Sequence, residues 1–203
     1  MVRWQDISIN ARIALCLIYA EKMIPKIKAM IACCDEAKKY SQGEQQINDI
    51  LDLGWSHLLD KSRVDWSEMY ALCNEGHGWT DDERYGGCGY FDFIIELNCC
   101  KDEDSIVLSN MMIFCFYYAI YHFAKRQNEV YIPEDLEWFE MEESEAETFA
   151  WIDKAVNRFI PIEERQTVSK FTEDLYKLFP FNKADPYGEY LDKEKVHRIV
   201  DRK

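Results

Sequence analysis

Positive charge is scarce in this chain. Its 203 residues hold 24 Lys and Arg against 38 Asp and Glu, a net charge of −14. Such a field repels nucleic acid and anionic membrane surfaces and attracts basic partners, although acidity also serves simply to keep a protein soluble. The signatures of catalysis are missing too. None of the four histidines lies in a His-Glu-x-x-His pair, and no Gly-x-Ser-x-Gly marks a nucleophile. Five of the eight glycines fall between residues 74 and 90, but that stretch carries Asp81, Asp82 and Glu83 with Arg84 as its one base. It also lacks the Lys-Ser/Thr ending of a phosphate-binding loop. There is no Cys-x-x-Cys. The nearest approach to a metal set is Cys73, His77 and Cys88 with His57, which no knuckle spacing fixes, so no metal or other cofactor is expected. The neighbours Cys33-Cys34 and Cys99-Cys100 point in different directions on a helix and make poor redox dithiols. No secretory leader opens the chain, so a cytoplasmic location is expected, with the eight cysteines as reduced thiols. Internal repeats and low-complexity segments are absent as well.

What is present is a strong helical pattern. Eighteen residues from Ile106 to Phe123 carry no formal charge. Asp102, Glu103 and Asp104 stand before them and Lys125 and Arg126 after, the polarity a helix macrodipole favours. A helix over 104–126 that is apolar all round must be enclosed by protein or by lipid. Asn110, His122 and the tyrosines Tyr117, Tyr118 and Tyr121 put polar atoms at several angles, which favours protein; Asn110 and His122 are expected to be buried and hydrogen-bonded.

The rest of the chain reads as shorter helices around that one. Ile9, Ile13, Leu17, Ala20 and Ile24 recur at helical spacing after a Ser8 cap, and Pro25 is expected to end or kink that helix before a segment to about Tyr40. Ile47, Leu51, Trp55 and Leu58 mark the buried side of the next, whose interior Gly54 points to another backbone passing close. Asp65 and Glu68 have the form of a capping box for a short helix with Trp66, Met69, Tyr70 and Cys73 inward. Residues 90–100 read as a helix in the absence of a pairing strand. Ser144 and Glu147 form a second capping box ahead of Phe149, Ile152, Val156 and Phe159, and Val168, Phe171, Leu175 and Leu178 define one more helix, ending at Phe179-Pro180. From Asp185 the chain reads as a polar tail, loosely attached. The sum is an all-α, single-domain bundle over 1–203 of about seven or eight helices, and 48% hydrophobic residues are enough for a packed core.

One stretch is compositionally distinct. Glu134, Asp135, Glu137, Glu140, Glu142, Glu143, Glu145 and Glu147 are eight acids with no base among them, and Trp138, Phe139 and Met141 lie between. A run of like charge is ordinarily a solvated face. Interleaved aromatics also fit an interface with a basic cleft, where acids steer and apolar residues anchor. The partner-binding candidates are therefore Glu134, Asp135, Glu137, Trp138, Glu140, Glu142 and Glu143, with Trp79, Asp81, Asp82 and Glu83 of the glycine-rich stretch. Two other readings stay open: a small enzyme with its site near 74–90, and an acidic helical adaptor.

WQDISINARIALCLIYAEKMIPKI, ILDLGWSHLL and YIPEDLEWFEMEESEAE resemble the helical immunity proteins of bacterial polymorphic toxin systems, in the family numbered immunity protein six. The first two are also similar to an uncharacterised family of small helical bacterial proteins, through Glu21, Met23 and Pro25 and through Ile50, Leu51, Asp52, Leu53 and Trp55. These are helix patterns rather than catalytic motifs. The resemblance implies a cytoplasmic protein that binds and blocks a cognate toxin domain, often a nuclease, with no catalytic residues of its own.

Overall fold

A computed structural model describes residues 4–33, 43–59, 65–74, 102–127, 132–140, 142–163 and 173–200. Among them the protein is an all-α bundle of seven helices. These are α1 (Ile9–Cys33), α2 (Gly43–Leu59), α3 (Trp66–Asn74), α4 (Glu103–Arg126), α5 (Glu134–Glu137), α6 (Glu142–Phe159) and α7 (Lys193–Val200). Short 3-10 turns cover Trp4–Asp6 and Trp138–Glu140.

The expected central helix is the centre. α4 buries fourteen residues, including Met112, Phe116 and Phe123, and packs against α1, α2, α3, α5 and α6. Asp102 caps it, accepting from the Ser105 amide at 2.9 Å and the Ser105 hydroxyl at 2.5 Å. By length and hydropathy α4 alone would pass for a membrane span, yet 67% of its apolar window is buried inside the bundle. Asn110 and His122, expected to be buried, are half-buried.

α1 departs from expectation. Ser8 caps it as predicted, its hydroxyl facing the Ala11 amide at 3.4 Å, but Pro25 neither ends nor divides the helix, which continues to Cys33. Proline removes one amide donor and crowds the carbonyl four residues back. Here Pro25 is exposed while Met23 and Ile27 on either side of it are 1% exposed, so burial on the inner face holds the helix together across the break.

Gly54 does mark a close approach, though to side chains rather than backbone. A Cβ there would lie 2.9 Å from Leu17 Cδ2 and 3.4 Å from Met69 Cε, so its absence lets α1 and α3 seat against α2. Asp65 caps α3 through the Ser67 amide at 2.9 Å. α6 begins at Glu142, two residues ahead of the expected Ser144 cap, which places Ser144 inside the first turn. Leu175 is fully buried, whereas Leu178, expected on the same face, is half exposed at the end of the helical stretch 173–178. Cys34, Val168, Phe171 and residues 75–100 lie outside the described residues.

The stretch expected as a loose tail is tied into the bundle from 179 to 200. The amides of Ser8, Ile9 and Asn10 donate to the carbonyls of Phe179, Pro186 and Tyr187, and the Leu191 amide donates to the Leu58 carbonyl. Gly188 turns with φ +70° directly over Ser8, where a Cβ would lie 2.9 Å from Ser8 Cβ. Leu191 and Val196 are fully buried. The polar composition of this stretch hid its role, because backbone hydrogen bonds share the attachment with only a few buried side chains.

Candidate protein-binding face

Pro133 opens the acidic segment, its carbonyl accepting from the amides of Leu136 and Glu137 at 2.8 and 3.2 Å. The helical turns that follow sort the residues by face. Leu136 and Phe139 point inward and are buried, Phe139 with its ring 6.1 Å from those of Tyr118 and Tyr121. Glu137 is exposed, and Glu140 reaches Lys125 Nζ at 2.5 Å on the surface. α6 repeats the pattern. Thr148, Phe149, Ile152, Ala155 and Val156 form its buried stripe, and Glu143 and Glu147, one turn apart, stand on the solvent side. Among the described residues no base pairs with Glu137, Glu143 or Glu147.

Glu145 belongs to the other face. It extends the buried stripe of α6 by one turn and accepts from Arg12 Nη1 at 2.5 Å and from the Tyr118 hydroxyl at 2.8 Å. Arg12 is 6% exposed; its Nε donates to the Ile7 carbonyl at 3.0 Å and its Nη2 to the Gln5 carbonyl at 3.3 Å. Burial opposes the charge on Arg12, but Tyr118 and Glu145 outweigh it and hold the guanidinium more basic than usual. Burial above all, then Glu145, pushes the Tyr118 hydroxyl well up. This is a structural ion pair that fixes α6 to α1 and α4 and so aims the outer acids.

The predicted candidates thus separate. Glu137 and Glu143 are both exposed, Glu140 is engaged by Lys125, and Phe139 is core. The backbones of Glu134, Asp135, Trp138 and Glu142 lie in the same short helices, with their side chains outside the described residues. Trp79, Asp81, Asp82 and Glu83 lie outside them altogether.

Of the four residues that come nearest to a metal set, His57 and Cys73 are described and His77 and Cys88 lie outside the described residues. His57 hydrogen-bonds to the Asp65 backbone at the start of α3, and Cys73 lies eight residues further on, near its end. That is about 12 Å of helix rise. Among the described residues no three His, Cys, Asp or Glu side chains gather as metal ligands would. Burial pushes the Cys73 thiol far up.

The two resemblance motifs do meet. Glu21 accepts from the indole of Trp55 at 2.7 Å and pairs with Lys193 of α7 at 3.0 Å, and the same lysine lies 3.8 Å from Asp52. Met23, Ile50 and Leu51 beside them are core. Sequence reasoning found these positions as a pattern and missed that Lys193 joins them. The fold and composition define the class as an acidic all-α bundle. Comparisons with known protein families, with curated proteins and with solved structures find no match.

Proposed function

We propose that this chain is an immunity protein that binds a cognate basic toxin domain, a nuclease in the form the resemblance implies, and blocks it stoichiometrically in the cytoplasm. The observation that carries the reading is the exposed trio Glu137, Glu143 and Glu147, unpaired among the described residues, on a chain of net charge −14. A nuclease cleft is basic because its substrate is anionic, so a focused acidic surface is drawn to it and competes for it. The acids supply steering and orientation. The apolar anchor lies elsewhere than Phe139, which is committed to the core, and Trp138 follows Glu137 directly in the sequence.

The test is binding of the purified chain to the toxin domain encoded beside it. Expected is a one-to-one complex with nanomolar Kd and loss of toxin activity on titration to equivalence. No association at micromolar concentration overturns the proposal.

A further inference from the structure

Arg126, the last residue of α4, joins four segments. Its Nη1 donates to Asn10 Oδ1 of α1 at 2.9 Å and its Nη2 to the carbonyl of His57 in α2 at 2.9 Å. The guanidinium also lies over the rings of Phe123, Tyr187 and Tyr190, at 5.3, 5.8 and 4.9 Å from their centroids. Asn10 completes the junction by donating to the carbonyls of Gly188 and Glu189 at 3.3 and 3.1 Å.

Two imidazoles flank this cation. His57 is 2% exposed and stacks on Phe123 with ring centroids 4.4 Å apart, and its Nε2 is buried with no partner among the described residues. His122, one turn before Arg126, is set edge-on to Tyr118 and Tyr121 and lies 6.2 Å from the Tyr187 ring. The charged groups facing His57 are Arg126 from α4 and Asp65 from the start of α3, whose carboxylate also accepts from the Ser67 amide. Those facing His122 are Arg12 from α1, itself paired with Glu145 of α6, and from its own helix Arg126 and Lys125, the latter paired with Glu140. Burial first and then these cations hold both rings neutral, His57 down to about 4 and His122, a half-buried residue whose ring is enclosed by Tyr118, Tyr121 and Tyr187, down to about 3.

We propose that the Arg126 junction is an acid-sensitive clasp: protonating His57 and His122 sets like charge beside a buried guanidinium, and the 186–191 segment comes away from α1 and α2. In the clasped state both rings are uncharged, and on release they regain an ordinary affinity near pH 6.5. Release therefore takes up protons, so it is disfavoured above about pH 6.5 and gains about ten-fold per pH unit below it for each histidine. α7 has its own tie to Glu21 and does not depend on the clasp.

Amide hydrogen exchange measured by NMR on the full chain, corrected for the pH dependence of intrinsic exchange, reads the clasp through Ile9, Asn10 and Leu191, whose amides bridge to Pro186, Tyr187 and Leu58. Between about pH 6 and about pH 5 their protection should fall about ten- to hundred-fold, while Ile152 and Ala155 of α6 change by less than about two-fold. His57→Gln and His122→Gln should each remove about ten-fold per pH unit from that slope, and the double variant should abolish it. A double variant with the wild-type slope overturns the clasp, as does an equal loss of protection in α6. If the variants do not fold, the wild-type histidine ring signals decide. Protonated rings that appear together with the loss of protection support the clasp; protonation while the three amides stay protected refutes it.

Discussion

Glu143 and Glu145 are two positions apart in one acidic run, and the fold gives them opposite tasks. Removing Glu145 leaves the Arg12 guanidinium buried without its counter-charge and the Tyr118 hydroxyl without its acceptor. An uncompensated buried charge is expensive, so Glu145→Ala should cost about 3 to 5 kcal/mol. Glu143→Ala, on the solvent side, should stay within about 0.5 kcal/mol. Urea unfolding of the two variants checks this, and equal midpoints would mean that the Arg12 pair is not formed in solution. Composition could not separate the two glutamates, but periodicity could have. Glu145 precedes Phe149, Ile152 and Val156 at i+4, i+7 and i+11, and Arg12 shares its face of α1 with the buried Leu15, Cys16 and Tyr19. A charge on a buried stripe needs a partner on another buried stripe, and these are two such positions. Arg126 was harder to foresee, because its partners are a carbonyl, an amide side chain and tyrosine faces drawn from three other segments.

At the scale of elements, what was legible was whatever apolar spacing alone determines. α4 is legible with its polarity because eighteen uncharged residues stand between acids and bases, whereas its Asp102 cap is seen only in the structure. Phe116 and Met112 are both fully buried at its centre, so Phe116→Ala should cost about 3 to 5 kcal/mol and Met112→Ala about 2 to 5 kcal/mol, read as shifts in the urea midpoint. An unchanged midpoint for either would place the core elsewhere. Pro25 does not end α1 because tertiary burial prevails over the local rule: Met23 and Ile27 continue the inner face of α1 across it. The backbone defect remains, however, and on an exposed position it is open to repair. Pro25→Ala restores an amide donor and a helix former, worth about 3 kcal/mol in an ideal helix interior, against about 1 kcal/mol of extra freedom in the unfolded chain. A net gain of about 1 to 2 kcal/mol is expected, with a higher melting midpoint. A loss instead would show that the helix is shaped around the proline. The stretch from Asp185 was harder to read than α4 because backbone amides and carbonyls, which no side-chain pattern reports, share its attachment with a few scattered side chains such as Leu191, Lys193 and Val196.

For the whole molecule the question is whether its charge acts as a sum or as a pattern. Reversing Glu137, Glu143 and Glu147 to Lys changes the net charge by three reversals of two units each, from −14 to −8. Reversing Glu68, Glu173 and Glu194, exposed on other elements, makes the same change at a distance from the acidic face. If a basic toxin domain docks on the 137–147 surface, the first set should slow association about ten-fold or more at low ionic strength, and the second set much less. The difference should fade as the Debye length shrinks from about 10 Å at 0.1 M salt toward about 3 Å at 1 M, because encounter is steered by unscreened field. Dissociation rates should hardly move in either set, since rim charges act on encounter more than on the formed complex. Both rate constants, measured against the toxin domain across salt, separate the possibilities. Equal slowing by the two sets would leave net charge as the whole effect and remove the acidic face as the docking site. Slowing by the second set alone would move the site to another part of the surface, and association indifferent to salt would leave contact rather than charge to account for binding.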